Sequence, residues 1–584
     1  MNKVLHKENG KPRYPETFMI NDNETSDSKD IAEEFNTFFT NIGKKINDNI
    51  PPADTHFSNY LQKKNSDSFF IDPINELDIV SITNKLKPKM SSGYDDIPTK
   101  TVITTIHEIA TPLAHIFNLS FITGTFPDKL KIAEVLPLFK NGDNKLLNNY
   151  RPISLLPAFS KLIEKIMANK IMNFLNNYKI LYEHQYGFRS QHSTIHPLLH
   201  LLKFISESND KKSKDQTIAI FLDLSKAFDT ISHDHLVCKL EHYGFRGLAQ
   251  KWFKSYLSNR KQYTSINNKK SSLQNISYGV PQGSILGPIL FLIYINDFKQ
   301  ATKLNMLSFA DDTTVYSSGN NKQQLSQYIN NELKNIYNWL CANKLKLNIE
   351  KTKYIVFGPQ QTFNFQNSIK LNNTSLTQVG QQHEEKYVKF LGICMDENLT
   401  WKYQVSNVCS KLSRSIYIIN RAKHFLPHTI LRSLYFCFIH AHLLYGILAW
   451  GYADDCHLNR VIKLQKRAIR SINCKPYRHP TENLFKNSEI LPFKKLYKSQ
   501  TAVFMYDYKD SNLPHSFVDF FTHNQTIVMT TRQSEHYYQN KPRTKFSAKL
   551  PVHHYVSIWN GLKPQLRNIK KRSTFIKLLK DTIA

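Results

Sequence analysis

Asp311 and Asp312 stand side by side inside an otherwise apolar stretch, MLSFADDTTVYS (Met306 to Ser317). Apolar runs on both sides of an acidic pair read as strand, turn, strand, with the carboxylates at the tip. Neighbouring carboxylates in a partly buried site repel, so such a pair either takes up protons or recruits cations. Magnesium, a hard ion, binds through one or two carboxylates with waters and substrate phosphates, not in a closed protein cage. Another acid is then expected from elsewhere in the chain. Asp223 supplies it at the end of the apolar run TIAIFLD, where Thr217 to Leu222 read as a buried strand. An isolated Asp-Asp is most often a solvated turn, but the apolar flanks and the independent strand-borne Asp223 argue against that here. Three carboxylates on two strands are the parts of a two-metal phosphoryl-transfer site, in which one ion activates a 3′-hydroxyl and the other holds a triphosphate.

Around these acids the motifs fall in a recognisable order. FADD (Phe309 to Asp312) resembles the central box of reverse transcriptases, and FLDLSKAFDTISHDHL (Phe221 to Leu236) the preceding metal-binding box of the non-LTR retrotransposon subclass. GVPQGSILGPILFLIYINDF (Gly279 to Phe298), between them, is similar to the template and nucleotide box. Upstream, KLKPKMSSGYDDIP (Lys85 to Pro98), the stretch Leu136 to Met167 and QYGFRSQHST (Gln185 to Thr194) resemble the N-terminal extension, the fingers segment and the box after it. Downstream, WLCANKLKLNIEKTKYIVFG (Trp339 to Gly358) is similar to the lysine-bearing palm box and VKFLGICMDENLTW (Val388 to Trp401) to the primer-grip hairpin. The likeness runs from about Lys85 to Trp401 and is greatest to jockey- or CR1-type elements.

The resemblance implies an α+β right-hand polymerase with fingers, an antiparallel palm sheet and a helical thumb. It implies RNA-templated DNA synthesis from a primer 3′-hydroxyl, with deoxynucleoside triphosphates and two Mg2+ ions, Mn2+ being a substitute, held by Asp223, Asp311 and Asp312. Lys140 and Arg151 would reach the triphosphate, the lysine as a point charge and the arginine as a bidentate fork. Gln282 and Gly283, in PQGS, would meet nucleotide and template, glycine allowing close backbone approach. Phe228 lies where the family has an aromatic beneath the incoming sugar, leaving no room for a 2′-hydroxyl; the plain alternative is a core phenylalanine. Lys351 or Lys353 would protonate the pyrophosphate leaving group, although a lysine in a charged loop is usually just solvated. Phe390, Leu391 and Gly392 fall in the primer-grip box.

Composition agrees with a nucleic-acid partner. Lys and Arg number 77 against 47 acids, a formal net charge of +30. Such an excess releases counterions from a polyanion and favours salt-dependent, sequence-tolerant binding. No run approaches the roughly 20 apolar residues of a membrane span, and MNKVLHKENGKPR lacks a secretory apolar region. An intracellular protein is expected, in nucleus and cytoplasm as a ribonucleoprotein. Seven scattered cysteines with no C-x-x-C pair argue against a disulfide framework or a zinc knuckle and read as ordinary buried thiols.

The 584 residues exceed one core. Residues 1–75 read as a linker-like segment with one helix, capped by Ser28 and carrying Ile31, Phe35, Phe38 and Ile42 on one face. The segment resembles the one between endonuclease and polymerase in jockey-like elements, so the endonuclease is expected to be absent. Residues 76–385 read as fingers and palm, 386–480 as primer grip and helical thumb, and 481–584 as a basic C-terminal region. Leu325, Ile329, Leu333, Ile336 and Leu340 recur at helical spacing. In NRVIKLQKRAIRSI, Lys463, Lys466, Arg467 and Arg470 surround an amphipathic helix, usually a solvated face but in a thumb a track for the duplex backbone. At the C-terminus Trp559 and Phe575 lie among basic residues, which suits either base stacking or a small helical cap docking through Trp559, Leu562, Ile569 and Phe575. The alternative function is a catalytically inactive or domesticated RNA-binding remnant of the same fold.

Overall fold

The strand Gln216–Leu222 is apolar along its length because both its faces are covered. Successive side chains alternate sides. Ile218, Ile220 and Leu222 enter one core with the helices Ala158–Asn177, His233–His242, Leu248–Leu257, Leu286–Tyr294 and Lys322–Ala342, while Ala219 enters a second core on the opposite face. The computed structural model describes residues 14–20, 23–62, 64–358, 368–372, 374–522, 537–538 and 541–583.

Gln216–Leu222 is the middle strand of a five-stranded sheet, flanked by Lys353–Phe357 and then Thr377–Val379 on one side, and by Asp312–Gly319 and then Asn305–Phe309 on the other. The four strands other than Thr377–Val379 are antiparallel to their neighbours, but Thr377–Val379 runs parallel to Lys353–Phe357. The expectation of a wholly antiparallel sheet fails at this edge. A two-residue turn forces antiparallel pairing, whereas the long connection from Phe357 to Thr377 lets the chain return in the same direction.

A second sheet orders Tyr150–Leu155, Ile132–Phe139, Arg260–Ile266 and Lys269–Lys270, with Gln274–Ile276 also pairing Arg260–Ile266. It too is mixed, Ile132–Phe139 running parallel to Arg260–Ile266. The helix Ser28–Asp48 packs on this sheet, burying Ile31, Phe35, Phe39 and Ile42 and leaving Phe38 half-buried. Its cap is Asp27 and not Ser28: the Asp27 carboxylate accepts the N–H groups of Lys29 and Asp30, and Ser28 is the first helical residue. Either side chain can cap, and the extended backbone of Asp27 decides which one does.

After residue 400 the chain is helical. Lys402–Ala422 and Asp455–Ile472 pack side by side, with His428–Tyr435 across them. The C-terminal helices Phe493–Lys509, Pro551–Asn560 and Arg572–Ile583 complete the second core. Trp559 is 1% and Phe575 0% exposed, and Phe575 stacks on Tyr506 at 4.5 Å. Of the two readings left open for these rings, core docking is the one the structure shows. This region also ties back to the segment 183–186 and the helix Ile195–Asp210, through Tyr186 Oη donating to Ser516 Oγ at 3.1 Å, His515 Nδ1 on Glu183 at 2.9 Å and Lys203 Nζ donating to the Asp519 carbonyl at 3.0 Å.

All seven cysteines are free; Cys341, Cys394 and Cys409 are buried, whereas Cys238, Cys437, Cys456 and Cys474 are exposed, against the expectation of buried thiols. Among the described residues no helix is long and apolar enough to cross a membrane.

Candidate active site

Strand register brings the three aspartates together. Leu222 pairs with Thr313, so Asp223 leaves the end of its strand level with Asp312. Phe309 pairs with Asp312, leaving Ala310 and Asp311 as a two-residue turn, with Ala310 in the left-handed region at φ 59°. Desolvation pushes the Asp311 carboxyl up from its ordinary value, and Asp223 adds to this, while Arg151 and Lys140 oppose it. Asp312, at the open edge of the turn, is pushed up to about 6 by desolvation and by the charges of Asp311 and Asp223. The charge of Asp223 acts on both Asp311 and Asp312, and that of Asp311 on Asp312, which is the electrostatic condition that favours a bound cation. Among the described residues no three His, Cys, Asp or Glu side chains enclose a metal ion by themselves. An ion bound there would need waters or substrate oxygens besides these carboxylates.

Four cations face this edge. Lys140 N–H bonds the Asn149 carbonyl and Arg151 pairs with Leu138, so Lys140 and Arg151 share one face of the hairpin. The loop after the helix Lys322–Ala342 runs alongside Asp223: Asn348 N–H donates to the Asp223 carbonyl at 2.8 Å, and Ser225 N–H to that of Lys346 at 2.8 Å. This brings Lys351 near the site, where it and Arg151 hold the Lys140 ammonium below its ordinary pKa, behind desolvation as the main cause. Lys353 is turned away. It sits on the strand opposite Phe221, and its ammonium is held by both carboxylate oxygens of Glu385.

Lys226 is the fourth cation, and sequence reasoning passed over it although it lies within FLDLSKAFD. Its backbone is left-handed at φ 50°, and its ammonium donates to the Tyr150 carbonyl at 3.3 Å. Burial depresses its pKa, with Lys140, Arg151 and Lys351 adding to the effect and Asp229 opposing it. Gln185 was also missed, although it opens QYGFRS. Residues 184–187 add a short strand-like edge beside Asn305–Phe309, and the Gln185 side chain reaches the turn bearing Asp311. Gly187 is needed there, because a Cβ would come within 2.2 Å of the Ala310 nitrogen.

The PQGS loop packs directly on the strand Tyr150–Leu155. Gly283 has φ 135°, and a Cβ on it would meet the Ser154 carbonyl oxygen at 2.4 Å, so only glycine fits. The neighbouring Gln282 carbonyl accepts the Ser154 N–H at 2.8 Å. Phe228 is half-buried, its ring stacked on Phe291 at 4.6 Å and 24°, with the exposed Phe188 edge-on at 6.2 Å.

Phe390, Leu391 and Gly392 form the tip of a hairpin, Val388–Phe390 with Ile393–Met395. Leu391 and Gly392 both have positive φ, 45° and 83°, as a primed two-residue turn requires. Phe390 packs on Phe221 at 5.2 Å, two positions before Asp223, and Tyr445 Oη donates to the Leu391 carbonyl at 2.6 Å. Lys463, Lys466 and Arg467 are exposed on the helix Asp455–Ile472, whereas Arg470 is half-buried, its Nε donating to the His479 carbonyl at 2.7 Å.

Residues 139–395 match the family model described as reverse transcriptase (RNA-dependent DNA polymerase). The chain is similar to the probable RNA-directed DNA polymerase from transposon BS of Drosophila melanogaster, 30% identical over 70% of this chain and 45% of the relative. It is also similar to the RNA-directed DNA polymerase from mobile element jockey of the same species, 27% identical over 74% of this chain and 47% of the relative, and to the probable polymerase from the X-element, 26% identical over 69% and 44%. The chain thus spans about half the length of the curated relatives it matches. With three aspartates converging on two strands inside the matched segment, residues 139–395 are a domain of the reverse transcriptase family.

Proposed function

We propose that this chain is an RNA-directed DNA polymerase that extends a primer 3′-hydroxyl with deoxynucleoside triphosphates on an RNA template, as part of retrotransposition within a ribonucleoprotein of nucleus and cytoplasm. The observation that carries this reading is the opposition of two charge groups: Asp223, Asp311 and Asp312 on one side, and Lys140, Arg151, Lys226 and Lys351 on the other. A triphosphate with its metal ions fits between them by charge. The second sheet then corresponds to fingers, the central sheet to palm and the helices Lys402–Ala422 to Asp455–Ile472 to thumb.

Asp223, Asp311 and Asp312 would hold two Mg2+ ions, which supply Lewis-acid stabilisation of the transferring phosphoryl and lower the pKa of the attacking hydroxyl. Lys140 and Arg151 bind the triphosphate, Arg151 through its planar fork. Lys351 would give a proton to the departing pyrophosphate, a reading supported over Lys353 by the engagement of Lys353 with Glu385. Phe228 fills the space beneath the incoming sugar, and Gln282 and Gly283 border the nucleotide. The tip Phe390, Leu391 and Gly392 supports the primer end, while Lys463, Lys466 and Arg467 contact duplex phosphates. The net charge of +30 supports a polyanionic partner.

Primer extension on a defined RNA template, with deoxy- and ribonucleotides compared, tests the proposal. Magnesium-dependent addition of deoxynucleotides is expected. RNA binding with no incorporation under any divalent ion would overturn it.

A further inference from the structure

The PQGS loop is held at one end by a buried carboxylate and at the other by backbone carbonyls. At its far end Glu164, 0% exposed, accepts the N–H of Ile285 at 2.7 Å and of Leu286 at 3.2 Å, the start of the helix Leu286–Tyr294. At its near end the backbone hangs on the segment after Asp223: Gly279 N–H donates to the Ile231 carbonyl at 2.8 Å and Val280 N–H to that of Phe228 at 2.9 Å. These bonds fix the backbone of the loop. They leave the Gln282 side chain free to rotate.

Asp229 removes that freedom. Gln282 Nε2 donates to Asp229 Oδ1 at 2.8 Å and to Oδ2 at 3.0 Å. An ionised carboxylate only accepts hydrogen bonds, so the nitrogen end of the amide must face it, which settles the orientation that an amide otherwise leaves ambiguous. The Oε1 end is then turned the other way, as an acceptor. Burial raises the Asp229 carboxyl to about 6, opposed by the Gln282 hydrogen bond and by Lys226 and Arg151, two of the cations of the site, so it is ionised at neutral pH. We propose that Asp229 is a positioning residue for nucleotide incorporation: it holds the Gln282 amide so that its oxygen, and not its nitrogen, faces the incoming nucleotide.

The inference rests on the polymerase reading and deepens it. Asp229→Asn keeps the shape but can offer an N–H to Gln282 Oε1, which turns the amide round. The KM for deoxynucleotides should rise roughly three- to tenfold, the worth of one neutral hydrogen bond, with kcat within a few-fold of wild type and an unchanged melting temperature. Asp229→Glu, which keeps the charge and displaces the acceptor, should also raise KM. Because Asp229 acts through Gln282, the double variant Asp229→Asn with Gln282→Met should be no worse than Gln282→Met alone. Additive losses in that cycle, a wild-type KM in either folded Asp229 variant, or Asp229 variants that melt far below wild type would each overturn the inference while leaving the polymerase reading standing. A wild-type chain that incorporates nothing would overturn both.

Discussion

Gln185 Oε1 accepts the backbone N–H of Ala310 at 3.0 Å and that of Gly187 at 2.9 Å. One side chain thereby ties a separate segment to the turn that carries Asp311. The bond matters because Ala310 is left-handed at φ 59°, a conformation that costs an ordinary residue about 1 kcal/mol or more. Gln185→Leu would keep the volume and leave two N–H groups unpaired at a buried site. We predict a stability loss of roughly 1 to 3 kcal/mol by urea denaturation. Among the molecules that remain folded, incorporation should fall on the order of 10- to 100-fold, since a small misplacement of a reacting group has that effect. A folded Gln185→Leu protein with the wild-type rate would show that the turn keeps its shape unaided.

Asp223→Asn or Asp311→Asn should abolish incorporation, by on the order of 100-fold or more, while leaving RNA affinity nearly unchanged. Either substitution removes a charge that would hold a cation and keeps the shape of the side chain. In the metal-free protein Asp311→Asn should not destabilise, because desolvation and Asp223 already disfavour the ionised carboxyl. Added Mg2+ should raise the melting temperature of the wild type more than that of the variant. Wild-type-like incorporation by either variant would remove the metal assignment.

The two lysines after the helix Lys322–Ala342 should separate cleanly. Lys351→Ala should slow the chemical step, by roughly 10²- to 10⁴-fold if it is the proton donor, with little effect on stability. Lys353→Ala should leave the rate near wild type and cost only the modest stability of a partly exposed ion pair with Glu385, about 1 kcal/mol or less. Single-turnover rates on a matched primer and template decide the matter. A large rate loss at Lys353 with none at Lys351 would reverse the assignment.

What was legible in the chain follows from how local each signal is. Asp223, Asp311 and Asp312 announce themselves because each interrupts an apolar strand, and a strand-end acid needs only its own neighbours to be noticed. The helix Lys322–Ala342 was equally plain, its stripe Leu325 to Leu340 being buried as spaced. Gln185 and Lys226 were not legible, although both lie in recognised motifs. Their roles depend on partners far away in the chain, Ala310 for one and Tyr150 for the other. Lys353 and Lys351 differ only in whether Glu385 reaches them, a contact that no spacing encodes. Trp559 and Phe575 were ambiguous for the opposite reason. An aromatic among basic residues suits both a core and a stacking surface, and only tertiary burial separates the two.

A histidine cluster where the C-terminal region meets the segment around Gln185 should make stability depend on pH. His200 packs on Phe517 at 4.4 Å and on His184 at 5.2 Å, and its Nε2 has no hydrogen-bond partner among the described residues. Desolvation lowers its pKa from 6.5 to about 2, and that of His196 from 6.5 to about 4. Both folded values lie below the unfolded one. Below pH 6.5 the unfolded chain therefore gains protons that the folded chain refuses. The stability these residues contribute is complete above that pH and is lost as the pH falls, by up to about 1.4 kcal/mol per unit for each residue. His200→Phe should flatten the profile between pH 6.5 and 5.5 by about 1 kcal/mol, because the unfolded imidazole is half protonated at pH 6.5. Parallel wild-type and variant profiles would show that His200 charges without cost.

Sugar choice tests the register of the whole site through one ring. Phe228 is stacked on Phe291 on one side and is only half-buried, so part of its ring is open. If that part lies under the incoming sugar, a 2′-hydroxyl meets the ring and ribonucleotides are excluded. Phe228→Val or Phe228→Ala then opens the space, and ribonucleotide use should rise relative to deoxyribonucleotide use by a few kcal/mol in selectivity, on the order of 100-fold. A phenylalanine that serves only the core would behave differently. Its truncation would cost roughly 3 to 5 kcal/mol if fully enclosed, less for a half-buried ring, and would leave the sugar preference unchanged. Incorporation of both nucleotide types, measured beside a melting curve, distinguishes the two outcomes: lost stability with an unchanged sugar ratio would make Phe228 a packing residue.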